Sequence, residues 1–95
     1  PAVFSLHQNY PNPFNPTTLI SYTIPRASHV KIGIYDLVGR ELAVLVDEVE
    51  EAGYKSIQWD AREVASGIYF YRMDVVSDDE PTHSLSVVRK LVVMR

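Results

Sequence analysis

The chain contains no cysteine and only four glycines among its 95 residues. Without cysteine there is no disulfide framework, no thiolate nucleophile and no cysteine-based metal site. The glycines occur singly, so the sequence lacks the glycine-rich loops that bind phosphate groups. No apolar run approaches the roughly 20 residues of a membrane-spanning helix. The chain must therefore fold around an ordinary hydrophobic core.

Positive charge is also scarce. Nine lysines and arginines stand against twelve acidic residues, which gives a formal net charge of −3. Nucleic-acid-binding domains normally carry a basic surplus, so we expect no nucleic-acid partner. The acidic residues cluster at 47–48, 50–51 and 78–80, a pattern typical of solvated turns and edges.

Length and composition predict one folded domain that comprises residues 1–95. Hydrophobic residues make up 46% of the chain and charged residues 22%, which is ordinary for a folded domain. Because the chain starts at Pro1 rather than methionine, we interpret it as a piece of a longer protein. We expect Arg95 to be the natural C-terminus of that protein.

Alternation of apolar and polar residues predicts β-strands along most of the chain. The predicted strands are 19–24, 30–35, 41–46, 54–59, 68–76 and 85–95, the last of them interrupted at Arg89–Lys90. In the first two strands we expect the following residues to face inward: Ile20, Tyr22, Ile24, Val30, Ile32 and Ile34. The longest strand, 68–76, starts with a nearly continuous apolar run, which predicts a central strand buried on both faces.

The segment 41–51 allows two interpretations. Its glutamate, leucine and alanine residues favour a helix, whereas its valines favour a strand that ends in an acidic turn at 47–51. We prefer the strand, with Leu42, Val44 and Val46 on one face.

About six or seven short strands separated by turns predict an antiparallel β-sandwich. The lack of cysteine excludes an antibody-type domain with its buried disulfide. Trp59 lies on the same face of its strand as Ile57, and we expect it to be the core anchor.

An asparagine- and proline-rich segment, residues 9–18, precedes the first predicted strand. We call it the lead-in. It contains three of the six prolines, each of which fixes φ and lacks a backbone donor. This composition excludes a helix or a central strand and predicts a stiff, polyproline-like segment. Phe14 would expose apolar surface in solvent, so we expect the lead-in to pack on the domain.

No set of residues assembles an active site. The three histidines, His7, His29 and His83, lack metal-ligand spacing. The acidic run 78–80 could attract calcium, but it lacks EF-hand spacing, so a solvated hairpin tip is preferred. We therefore predict no catalytic residue, no metal site, no cofactor and no enzymatic activity.

Several motifs occur together and in order. They are the lead-in, Ile20-Ser-Tyr22, Ile34-Tyr-Asp-Leu-Val-Gly-Arg-Glu-Leu42, Ala52-Gly-Tyr54, Trp59-Asp60, Ser66-Gly-Ile-Tyr-Phe-Tyr-Arg72 and Arg89-Lys-Leu-Val-Val-Met-Arg95. With this set the chain resembles, over residues 6–95, the C-terminal sorting domain of the type IX secretion system. That family is related to the immunoglobulin-like domain of the flagellar hook-capping protein.

The resemblance implies a small immunoglobulin-like β-sandwich that carries an export address for a cargo protein attached in the same chain. It implies recognition by an outer-membrane translocon and removal by a sortase-like peptidase. The cargo would pass through the periplasm and then be attached to the cell surface or secreted.

By position, the resemblance assigns a sorting motif to Asn12, Pro13, Phe14, Gly67, Tyr69, Lys90 and Leu91. We expect the last strand to be an exposed edge with a lysine and a free end, open to strand addition. Two other functions stay open: a structural spacer, and a carbohydrate-binding module of a secreted enzyme that stacks sugars on exposed tyrosines.

Overall fold

The computed structural model describes residues 1–79 and 84–95. It contains seven strands: β1 (Ser5–Leu6), β2 (Thr17–Ile24), β3 (Ser28–Tyr35), β4 (Glu41–Glu50), β5 (Gly53–Asp60), β6 (Gly67–Ser77) and β7 (Ser84–Val93). They form a three-stranded sheet in the order β1-β2-β5 and a four-stranded sheet in the order β4-β3-β6-β7. All of these strand pairs are antiparallel. The predicted antiparallel β-sandwich is thereby confirmed.

The core lies between the two sheets and follows the predicted alternation in β2 and β3. Ile20 and Ile24 of β2 are fully buried, as are Val30 and Ile32 of β3. Full burial of one such side chain contributes about 1.5–3 kcal/mol relative to leaving it exposed. Burial of one face of each sheet therefore fixes the strand register, because a one-residue slip would turn these side chains to solvent.

β6 is a central strand, as predicted, because it lies between β3 and β7. Burial on both faces, however, is wrong: Tyr71, Met73 and Val75 are buried, whereas Ile68 and Val76 are exposed. An antiparallel sheet can leave one face to solvent, and no other layer of strands in the described part of the chain covers the outer face of this sheet.

β4 is a strand rather than a helix, but the prediction that Leu42, Val44 and Val46 share one face is wrong. Val46 is buried, yet Val44 is 46% exposed. Ile32 pairs with Val46 and the next residue, Gly33, pairs with Val44, so Leu45 is an extra residue in the ladder. Such a bulge reverses the alternation of side chains beyond it. The strand also continues to Glu50 in place of the expected acidic turn at 47–51.

β7 runs unbroken through Arg89 and Lys90, so the predicted interruption there is wrong. β7 is at the edge of its sheet, and Lys90 is exposed because its side chain alternates with that of buried Leu91 and lies on the outer face. The Arg89 Nε donates a hydrogen bond of 2.5 Å to the backbone oxygen of Leu6 in β1. Two adjacent cationic residues can therefore lie in an edge strand without interrupting it.

Residues 36–40 connect β3 to β4, and residues 61–66 connect β5 to β6. None of the residues that the structure describes belongs to a helix long and apolar enough to cross a membrane.

Candidate recognition surface

The start of the lead-in is fixed to both sheets by a buried asparagine. The Asn9 backbone N–H donates to the Tyr71 hydroxyl at 2.9 Å, and that hydroxyl donates to the His7 oxygen at 2.6 Å. The Asn9 Nδ2 donates to Thr18 Oγ1 at 3.0 Å and to the Pro11 oxygen at 3.2 Å. Burial raises the pKa of Tyr71, so its hydroxyl stays protonated and able to donate. This network connects β6, β2 and the lead-in.

The middle of the lead-in pairs with the C-terminal half of β7. The Phe14 N–H donates to the Val92 oxygen at 3.1 Å, and the Phe14 oxygen accepts from the Met94 N–H at 3.0 Å. The Val92 N–H donates to Asn12 Oδ1 at 3.0 Å. The lead-in therefore acts as a short parallel neighbour of β7, with an asparagine side chain in place of one backbone acceptor.

The lead-in is not the expected polyproline-like rod. It bends at residues 11–13 and again at 15–16, and the peptide bonds before its three prolines are cis. Tyr10 pairs with Leu19 of β2, whereas Phe14 pairs with Val93 of β7. The chain crosses from one sheet to the other between these two bridges, which a straight rod lying along one strand would not do.

Phe14 packs into the end of the sandwich, where three aromatic rings meet. Its ring lies 5.8 Å from that of Trp59, and the Trp59 ring lies 6.3 Å from that of Tyr69, both edge to face. Phe14 is 3% exposed and Trp59 is 6% exposed. Pairs of this kind contribute about 0.5–1.5 kcal/mol beyond burial of their area. The Tyr69 hydroxyl donates to the Ala65 oxygen at 2.6 Å, which holds its ring in place.

Arg95, two residues beyond β7, is also held, so the expectation of a free end is wrong. The Arg95 guanidinium donates to the backbone oxygens of Ala61 and Val64. The Arg95 N–H donates to Ser66 Oγ at 3.1 Å. These bonds join the end of the strand to the loop between β5 and β6.

The structure brings the seven residues of the predicted sorting motif to one end of the sandwich. In the β6–β7 ladder Gly67 pairs with Val93 and Tyr69 with Leu91. Phe14 is bridged to Val93 as well. Phe14 and Leu91 are buried and Tyr69 is partly buried, whereas the exposed members of the set are Asn12, Pro13 and Lys90. We call these three exposed residues the seam.

Gly67 occupies a backbone conformation that requires glycine. Its φ is +153°, and a Cβ built there would meet no other atom within 4 Å. The restriction is therefore one of backbone geometry rather than of space. It explains why a glycine begins β6 directly beside the seam.

The turn between β3 and β4 presents apolar side chains, although turns are normally polar. Leu37 is 67% exposed and Val38 is 76% exposed. Asp36 Oδ1 accepts from the N–H groups of Val38 and Arg40 at 3.0 Å each, and the Arg40 Nε donates to Asp36 Oδ2 at 2.8 Å. The hydrogen bond from the Arg40 backbone, with further contributions from the same partners, lowers the pKa of Asp36. Gly39, at a φ of +87°, completes this fixed turn.

Two shallow hollows lie on either side of Leu37. One of about 280 Å³ is bordered by Ile68, and one of about 210 Å³ is bordered by Val88. Both volumes are below the roughly 300–1,000 Å³ of typical small-molecule sites. Exposed apolar residues around them suit contact with a macromolecule instead. We call this patch, made of Leu37, Val38, Ile68 and Val88, the turn surface.

The described part of the chain contains no group of three or more histidine, cysteine or acidic side chains placed to hold a metal ion. His29 Nε2 lies 2.9 Å from Asp47 Oδ1, which gives that histidine a local partner. Glu80 and His83 lie outside the described residues. The preference for a solvated tip at 78–80 over a calcium site therefore stays a prediction.

Sequence reasoning missed β1, the turn surface and the role of Asn9. β1 has two residues, too few for a periodic signal. A signal for the turn surface was available, since Leu37 and Val38 stand in a predicted turn. For Asn9, its position at the start of the proline-rich segment was the only indication.

These observations define a small β-sandwich with a proline-rich segment bound along its last strand. The chain belongs to the type IX family described as the secretion system C-terminal sorting domain, whose model matches residues 8–94. Membership implies that the protein is secreted or displayed on a cell surface, and that it interacts with the secretion machinery and is attached to a cargo.

Among solved structures, the chain is similar to CopC from Methylosinus trichosporium OB3b, with a TM-score of 0.61 and 18% sequence identity. The alignment covers 96% of this chain and 93% of that one. At this identity the similarity shows the fold alone. No curated protein sequence matches the chain.

Proposed function

We propose that this domain is a non-catalytic address that takes an attached cargo from the periplasm across the outer membrane through the type IX translocon. A sortase-like peptidase then removes the domain, and the cargo is released or attached to the surface. The family match supports the sorting role. The structural support is the gathering of the family's motif residues at one end of the sandwich.

The motif residues divide into two roles by their burial. The seam residues Asn12, Pro13 and Lys90 are exposed, and Asn12 also accepts the Val92 N–H through its Oδ1, so its side chain helps to hold the lead-in on β7 as well. Phe14 and Leu91 are buried and hold the lead-in and β7 in place. The side-chain Nε2 of Gln8, the residue just before the lead-in, donates to the Lys90 oxygen at 2.8 Å and so joins the start of this region to β7 as well. The translocon would read the exposed residues, and the buried ones would keep them in register.

Fusion to a reporter tests this function. The domain is attached to the C-terminus of a periplasm-directed reporter, in a host with a type IX apparatus and in an otherwise identical host without the translocon. We expect the reporter outside the cell only in the first host. Its mass there shows whether the domain has been removed.

The outcome that overturns the proposal is retention of the folded fusion in the periplasm while another sorting domain exports the same reporter. The structural-spacer function would then take its place. Export of an uncleaved fusion would refute only the peptidase step.

Two exposed tyrosines favour the carbohydrate-binding alternative. Tyr10 and Tyr54 are both largely exposed. Their partners on β2 are Leu19 and Thr23, four residues apart, which is about 13 Å along a strand. A glycan-binding screen that compares the unaltered domain with Tyr10→Ala and Tyr54→Ala tests it. Binding that both substitutions weaken would support this function, and no binding to any glycan would remove it.

A further inference from the structure

We propose that an extended strand of the secretion machinery, carrying apolar and acidic side chains, adds to β7 beside Val88 and contacts the turn surface. This inference rests on the proposed sorting function. It names the place and the manner in which the partner binds.

The hydrogen bonds to the lead-in and to Gln8 identify which backbone groups of β7 point away from β6. Val92 uses both its N–H and its oxygen on that side, and Lys90 uses its oxygen there. The β6–β7 ladder has no register shift, so Val88 and Ser86 have the same orientation. Outward-pointing groups therefore recur at every second residue along β7.

These outward groups are bonded in one half of β7 and open in the other. The lead-in and Gln8 cover the oxygen of Lys90 and both groups of Val92. Among the described residues, no hydrogen-bond partner exists for the N–H of Lys90 or for either backbone group of Val88 and Ser86. We call this stretch the open edge. Such a row of unpaired donors and acceptors is a template for one kind of occupant, an added β-strand.

Apolar surface lies next to the open edge. Val88 belongs to both features: its backbone is part of the open edge, and its side chain borders the hollow beside Leu37. It is 55% exposed. A side chain of the added strand that lies beside Val88 would therefore contact the turn surface, so it should be apolar.

The positive charges on β7 indicate that the added strand also carries acidic side chains. Arg72 is paired with Asp74 at 2.9 Å, and Arg40 with Asp36 at 2.8 Å. Within residues 1–79 and 84–95, no acidic partner pairs with Arg89 or Lys90. Val88 and Lys90 are two residues apart on the outer face. The added strand should therefore carry an apolar and an acidic residue two positions apart.

Proline at position 88 tests strand addition with little effect on the fold. The N–H of Val88 points away from β6, so Val88→Pro removes no bond of the sheet but blocks a partner strand. Val88→Lys removes the apolar contact instead. Val49→Lys is its matched control, because Val49 is 57% exposed on β4, at the opposite edge of the sheet.

The fusion assay measures export of each variant after circular dichroism and thermal melting have shown that it is folded. We expect export to fall about tenfold or more for Val88→Pro and Val88→Lys and to stay unchanged for Val49→Lys. If Val88→Pro does not fold, Val88→Lys against Val49→Lys decides the question.

The possible failures are distinguishable. Export of folded position-88 variants at the level of the unaltered domain overturns the docking site and leaves the sorting function standing. An equal loss for Val49→Lys also overturns the docking site, because the effect would then not be specific to β7. Retention of the unaltered fusion in the periplasm refutes the sorting function and the docking site together.

Discussion

Replacement of Phe14 by alanine measures how far the lead-in belongs to the fold. Phe14 is 3% exposed, which is less than Trp59 at 6%, so it is as buried as the core aromatic. Truncation of a buried phenylalanine typically costs about 3–5 kcal/mol. The lead-in lies at one end of the sandwich and can partly collapse into the space, so we expect about 3 kcal/mol. At roughly 4–8 °C per kcal/mol for a domain of this size, the melting temperature should fall by about 12–24 °C.

The assay is chemical denaturation followed by the fluorescence of Trp59, whose ring touches Phe14. Tyr10→Ala is the matched control, because Tyr10 lies in the same lead-in but is 80% exposed. Its effect should stay within about 0.5 kcal/mol, the usual range for surface positions. Equal midpoints for the two variants would show that the lead-in is a linker that does not stabilise the sandwich.

Three further predictions concern glycine, acid and fluorescence. Gly67→Ala should lower the free energy of unfolding by about 1–3 kcal/mol through backbone strain. Gly53→Ala, at an ordinary φ, should lower it less, and equal losses for the two variants would contradict the role assigned to Gly67. Hydrogen bonds lower the pKa of Asp36, and the largest contribution comes from the backbone N–H of Arg40. The stability that this carboxylate contributes is therefore complete above about pH 4 and is lost as the pH falls through its lowered pKa in the folded state. In Asp36→Asn the melting temperature should therefore fall less steeply on acidification than in the unaltered domain. Native Trp59 should emit as a buried indole, and a water-exposed emission maximum would contradict the structure.

The strands whose side chains alternate without interruption were predictable in detail. In β2 and β3 the apolar residues recur at every second position, and those residues form the core. β4 was predictable as a strand but not in its orientation. The bulge at Leu45 depends on pairing with β3, and a local pattern carries no information about that partner.

The motifs of the candidate site could be predicted from the sequence, but the contacts between them could not. The pairing of Phe14 with Val93 joins residues that are 79 positions apart. No periodicity within either segment signals such a contact. The Asn9 backbone is bonded to the hydroxyl of Tyr71, which is 62 positions away in sequence. What the sequence did indicate was that Phe14 would need cover, because an aromatic ring between prolines is unfavourable in solvent.

The edge position of β7 could be predicted, but its partial coverage by the lead-in could not. An edge strand with Lys90 was expected, and β7 is an edge strand. Coverage of half of that edge was not expected, because it depends on bends of the lead-in that bring Asn12 to the N–H of Val92.

The central claim is that the exposed seam is the export address. Its most direct test is the amount of reporter outside the cell for the domain with Asn12, Pro13 and Lys90 all replaced by alanine. Lys55→Ala, on β5 of the other sheet, is the control. We expect the triple variant, shown to be folded by circular dichroism, to leave the reporter in the periplasm, whereas Lys55→Ala should export it like the unaltered domain. Export of the folded triple variant at the unaltered level would contradict the claim.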